Sequence, residues 1–138
     1  MTAYTPGQEL RVVNRQVNKE HVQAYAQASG DHNPLHLDEA FAATTQFGRP
    51  IAHGMLALAM ISEMLAQNFG QHWLDSGSLK ARFKGPVYVG EGILISGLVS
   101  KESLEGDRRL LTCNVVLKNS KGEEAVTATA MVALPEGL

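Results

Sequence analysis

From residue 54 to residue 65 the chain reads Gly-Met-Leu-Ala-Leu-Ala-Met-Ile-Ser-Glu-Met-Leu, and only Ser62 and Glu63 interrupt its apolar character. A helix that is apolar nearly all round cannot lie on a surface and must be enclosed by other elements. The run falls short of the ~20 apolar residues that cross a bilayer, so the enclosing layer must be protein. That layer follows in the sequence. Residues 79–83 alternate, Pro86-Val87-Tyr88-Val89-Gly90 makes a corner, and residues 93–99, 108–117 and 125–134 read as strands. Gly106-Asp107 and Lys121-Gly122 supply the turns between the last three. Helices early and antiparallel strands late predict an α+β fold, with a sheet of about five strands wrapped around one long apolar helix. At 138 residues, one domain over 1–138 is enough to hold that core.

The first third of the chain supplies shorter elements. Residues 9–17, with Val12, Val13 and Val17, suit a first strand or extended arm. Asn18 can cap a helix that puts Val22, Tyr25, Ala26 and Ser29 on one face, and Gly30 ends it. Pro34 has no amide hydrogen and turns Asn33 away from helical geometry, so residues 31–36 are expected as a stiff, irregular connection rather than helical turns. Asp38 can then cap a short helix through Phe41 and Ala43, and Phe47-Gly48-Arg49-Pro50 is a turn by composition.

Composition removes several functional classes. A formal net charge of -2, with 19% charged residues, gives no electrostatic footprint for nucleic acid. The amino-terminal residues lack the basic stretch and apolar run of a secretory signal, which leads to the expectation of a soluble chain in a reducing, cytoplasmic setting without membrane attachment. The single cysteine, Cys113, lies among β-prone apolar residues and reads as a packed core thiol. No disulfide or cysteine-rich zinc site can be built from it. His-x-His and His-Glu-x-x-His are absent, as are Gly-x-Gly-x-x-Gly, Gly-x-Ser-x-Gly and the Walker loop, so neither a metal nor a cofactor is expected.

The chemistry-bearing residues cluster between Ser29 and Gly54. Asp31 and His36 share a segment stiffened by Gly30 and Pro34, and Asn33 between them can orient one of the two. A carboxylate and an imidazole within reach of one water are suited to moving protons. If the buried helix starts near His53-Gly54, its first amides have no intrahelical partner and carry the positive end of the helix dipole. Glycine there admits a ligand carbonyl close to the backbone, which makes Gly54 a candidate oxyanion donor. Glu63 is turned ~180° from Gly54 and lies ~13 Å along the axis, so an outer edge or an ion pair suits it better. Ser62 sits about 80° from Gly54 and can line a substrate tunnel or bond back to its own helix. His32 and His53 flank the site; His21 and His72 read as surface residues.

The segments Ala28-Ser29-Gly30-Asp31-His32-Asn33-Pro34-Leu35-His36, Arg49-Pro50-Ile51-Ala52-His53-Gly54-Met55 and Ala81-Arg82-Phe83-Lys84-Gly85-Pro86-Val87-Tyr88-Val89-Gly90-Glu91 resemble the MaoC-like hydratases and dehydratases. Among these the chain looks most like the short, single-domain (R)-specific enoyl-CoA hydratases. The resemblance implies the hot-dog fold, a homodimer with continuous sheets, and an enoyl-CoA or acyl-CoA thioester as substrate. It further implies that Asp31 and His36 hold the water and that the Gly54 amide polarises the thioester carbonyl. Asn33 and Ser62 take supporting or substrate-lining places. Three alternatives share the fold: a (3R)-hydroxyacyl dehydratase acting on acyl-carrier protein, a thioesterase relying on Glu63, and a non-catalytic acyl-CoA binding module. Lys80, Arg82 and Lys84 suit the phosphates of either carrier, and equally a solvated strand face.

Overall fold

The computed structural model describes residues 4–137; the ends of the expected 1–138 domain lie outside the described residues. Strand β1 (Val13–Gln16) leads into helix α1 (Lys19–Ser29), followed by the short helices α2 (Pro34–Leu37) and α3 (Glu39–Ala43). Helix α4 (Gly54–Phe69) is the long one, and α5 (Gln71–Ser76) follows it directly. Strands β2 (Ser78–Phe83), β3 (Gly92–Glu105), β4 (Arg108–Lys118) and β5 (Glu124–Pro135) complete an antiparallel sheet of order β1-β3-β4-β5-β2.

Most of the apolar run is enclosed, but Met55 and Ala59 stay exposed. Ile61, Met64 and Leu65 of α4 have no exposed surface and pack with Ile95, Val99, Leu111, Cys113 and Leu117 of the sheet. Each such side chain contributes roughly 1.5–3 kcal/mol through burial. This is the α+β arrangement expected from the sequence pattern, and it agrees with the hot-dog fold that the resemblance implies. Burial also raises the Cys113 thiol pKa to about 11, in keeping with a core thiol. At Gly97 a Cβ would approach Leu10 Cδ1 to 2.9 Å and Met64 Cε to 3.4 Å, so the bare backbone lets the amino-terminal arm cross the sheet.

Two expectations need correction. Residues 31–36 are not irregular throughout: Pro34 opens a helical turn, α2, and Asn33 caps it by accepting the Leu35 amide at 2.9 Å. Proline at the first helical position needs no amide partner, so the residue read as a break is a start. Strand β3 also runs beyond Val99 to Glu105, past a register shift at Val99/Lys101, as an exposed ribbon paired with β4. Helix α5 had no counterpart in the sequence reading; Gly70, at φ 59°, separates it from α4.

Candidate active site

Helix α1 stops at Gly30, whose φ of 80° is open to glycine at little cost, and whose amide closes on the Ala26 carbonyl at 2.9 Å. The chain then locks itself by short-range bonds. Ser29 Oγ accepts the Asp31 amide at 3.1 Å, Asp31 Oδ1 accepts the Asn33 amide at 3.1 Å, and the Asn33 carbonyl accepts the His36 amide at 3.0 Å. Asn33 therefore orients both neighbours through its main chain while its side chain caps α2. Asp31 remains exposed and His36 half-buried.

His36 is aimed by a second segment. Its Nδ1 lies 2.7 Å from the Ile51 carbonyl, while the Ile51 amide donates to the Leu35 carbonyl at 3.3 Å. A carbonyl oxygen only accepts, so Nδ1 carries a proton and Nε2 is the nitrogen left for other contacts. Residues 50–52 are pinned on their other side by Ala52 N–H to the Val87 carbonyl (2.7 Å) and Val89 N–H to the Pro50 carbonyl (3.1 Å). The corner 86–90 thus fixes the backbone that fixes His36.

His53 stands behind the pair. It is only 2% exposed, its ring stacks on His36 with centroids 3.9 Å apart and 31° between planes, and its Nε2 is 3.0 Å from the Asp31 carbonyl. Ligand atoms of Asp31, His36 and His53 lie within 4.8 Å of one another. Such a trio has the composition of a metal site, and its two rings are tilted 31° to each other. One nitrogen of each ring is bonded to a backbone carbonyl, a contact that orients ligating and proton-moving histidines alike. The same atoms are close enough to share one water, as proton transfer requires.

Gly54 is the first residue of α4, directly after His53. The His53 carbonyl accepts the Leu56 and Ala57 amides at 3.1 and 3.2 Å, whereas the exposed Gly54 and Met55 amides have no acceptor among the described residues. A pocket of about 440 Å³ opens beside Gly54, lined chiefly by Phe47, His53, Ala57, Phe83 and Val126. A Cβ at Gly54 would come within 3.0 Å of the Phe83 ring, so glycine keeps this approach open. His36 faces a smaller pocket of about 190 Å³ with Lys19, Arg49 and Val89.

Ser62 and Glu63 sit elsewhere. Ser62 Oγ accepts the Trp73 indole N–H at 2.9 Å, tying α4 to α5, and Ser62 lines neither of these two pockets. Glu63 pairs with Arg15 of β1 at 2.6 Å, the ion-pair alternative weighed for it. His53 is the residue whose part the sequence reading underrated; the available signal was an imidazole immediately before a glycine at the start of a buried helix.

A family model described as MaoC like domain matches residues 2–120, and the chain belongs to that family. The (R)-specific enoyl-CoA hydratase of Aeromonas caviae is 40% identical over 133 residues, 94% of each chain. A 3-hydroxybutyryl-CoA dehydratase of Methylorubrum extorquens is 31% identical over 126 residues, covering 91% of this chain and 78% of the relative. A solved structure titled (R)-hydratase from A. caviae involved in PHA biosynthesis superposes with a TM-score of 0.83 at 35% identity, covering 98% of this chain and 100% of that one.

Proposed function

We propose that this protein is a hydro-lyase that adds water reversibly to a trans-2-enoyl-CoA, giving the (R)-3-hydroxyacyl-CoA. The observation that carries the reading is a carboxylate and an imidazole whose ligand atoms lie within 4.8 Å of each other and of His53, the residue that precedes two helix amides with no acceptor among the described residues. Proton-moving groups and an oxyanion donor, here with His36 and Gly54 lining two separate pockets, are what conjugate addition to a thioester demands. The CoA carrier is taken from the names of both relatives, and the (R) outcome from that of the Aeromonas caviae hydratase.

In the proposed reaction the thioester oxygen accepts a hydrogen bond from Gly54 N–H, which draws charge from the double bond and leaves C3 electrophilic. Asp31 and His36 hold the water. As its oxygen bonds to C3, the pair takes one proton from it and returns one to C2, ending in the protonation state in which it began. Dehydration retraces the same steps, so the pair serves both directions.

A second copy belongs to this reading. Strand β2 bonds only to β5 within the sheet, so its outer edge is free to continue into a partner's sheet. Phe83 at the end of that strand lines the Gly54 pocket, and both it and Met55, the residue after Gly54, are more than half exposed. A homodimer across β2 would cover them and wall the pocket.

The test is loss of the conjugated enoyl absorbance of crotonyl-CoA, followed by chiral analysis of the product. Accumulation of (R)-3-hydroxybutyryl-CoA is expected. Release of free CoA in place of hydration would indicate a thioesterase, and tight binding without any absorbance change would indicate a binding module. Much faster turnover on the acyl-carrier-protein thioester would reassign the carrier.

A further inference from the structure

We propose that His53 is a positioning residue that couples the water-binding loop to the carbonyl-binding helix start. The inference deepens the hydratase reading and rests on it. His53 Nε2 lies 3.0 Å from the main-chain carbonyl of Asp31, so the ring donates there from Nε2–H and its Nδ1 is left as a bare acceptor. That Nδ1 is buried and finds no partner among the described residues. For stability alone, an unpaired buried acceptor is a poor choice, costing about 1–3 kcal/mol. Phenylalanine would fill the space between His36 and Tyr25 without it, since both rings already pack on His53, at 3.9 and 4.8 Å between centroids.

What phenylalanine lacks is the donor. The Nε2–H bond sets the height of the Asp31 backbone, and the ring face limits how His36 can rotate while Ile51 holds its Nδ1. The main chain of the same residue caps α4, with its carbonyl taken by the Leu56 and Ala57 amides and the Gly54 amide next in line. One side chain and one peptide thus fix the distance between the group that activates water and the group that polarises the carbonyl. Rates depend steeply on such distances, and a 1 Å misplacement costs on the order of 10²-fold.

The experiment compares His53→Phe, which keeps a ring and loses the donor, with His53→Gln, whose amide N–H can reach the Asp31 carbonyl. With crotonyl-CoA as substrate, His53→Phe is expected to lower kcat about tenfold or more, with KM changed by less than about threefold, and His53→Gln to regain most of that loss. Wild-type kcat in His53→Phe would overturn the proposal. So would a Gln variant as impaired as the Phe variant when both melt as the wild type does. Should either variant fail to fold, imidazole ¹⁵N shifts of the wild-type protein at about pH 8, where imidazole is neutral, decide the matter. The Nε2–H tautomer of His53 is expected there, and the Nδ1–H tautomer would refute the bond. A wild type inactive on every enoyl-CoA would instead sink the hydratase reading, leaving the tautomer measurement to judge His53.

Discussion

Strands β3 and β4 pair from Leu94–Lys118 to Glu105–Arg108 with one register shift, and β4 pairs with β5 over almost its whole length, over side chains such as Leu111, Cys113 and Leu117 that have no exposed surface. Residues 29–53 are built differently. There the helices are short, α2 and α3 bury only Ala42, and position is set by single polar contacts: Asn33 on Leu35, Asp38 on Phe41, His36 on Ile51, His53 on Asp31. The sheet spreads its stability over many equivalent contacts, whereas the site segment assigns one job to each side chain. Substitutions in the first region should act on stability, and those in the second on turnover.

The largest expected effect lies under the sheet. Ile61→Ala empties fully buried volume in α4 and should destabilise the fold by about 2–5 kcal/mol, read by denaturant unfolding. Its kcat per folded molecule should stay near the wild-type value. A large loss of kcat without loss of stability would break the distinction between the regions.

Next comes Gly54→Pro. Proline is tolerated at the first helical position, and His53, at φ -59° and ψ 137°, already has the backbone that precedes proline. The substitution deletes the amide proposed to polarise the carbonyl, so kcat should fall by ~10²-fold. Gly54→Ala is the control, because it brings a Cβ against Phe83 while keeping the N–H. Equal losses in the two variants would mean that crowding, not the amide, matters.

A smaller effect is expected from Asn33→Ala, which removes the cap of α2 at a typical cost of ~1 kcal/mol. It should lower kcat about tenfold by loosening His36. A melting temperature shift without any kinetic change would place Asn33 with the scaffold.

The smallest concerns Glu91, at the start of β3's approach. Burial works to raise its pKa, but the Ser120 hydroxyl, the Tyr88 and Ser120 amides and the charge of Arg49 outweigh burial and hold it below the ordinary 4.5. A lowered folded-state pKa contributes stability that is present above the unfolded value and lost as pH falls through the folded one. Wild-type melting temperature should therefore decline in acid below about pH 5, and Glu91→Gln should flatten that decline. An unchanged slope would remove Glu91 as its source.

Legibility in the sequence followed the same division. The enclosed helix, the strands and the turns at Gly106 and Gly122 could be read because periodicity and positive-φ glycines are local signals. Asn18, Gly30 and Asp38 were readable as caps for the same reason. Asp31, His36 and Gly54 stood out by residue type and by resemblance. The bonds from Trp73 to Ser62 and from His53 to Asp31 were not legible, since each joins residues brought together only by packing. Helix α5 escaped because a helix of one or two turns buries only Trp73 and leaves little periodicity to detect. Pro34 was misread because proline breaks a helix interior yet opens a helix when a capping asparagine precedes it.

The central claim is that Asp31 and His36 carry the protons. The most direct measurement is kcat of Asp31→Asn on crotonyl-CoA, taken with its melting temperature. A loss of at least ~10²-fold at an unchanged melting temperature is predicted. Turnover within about tenfold of wild type, with Glu63→Ala abolishing it instead, would contradict the account and move the chemistry to the far side of α4.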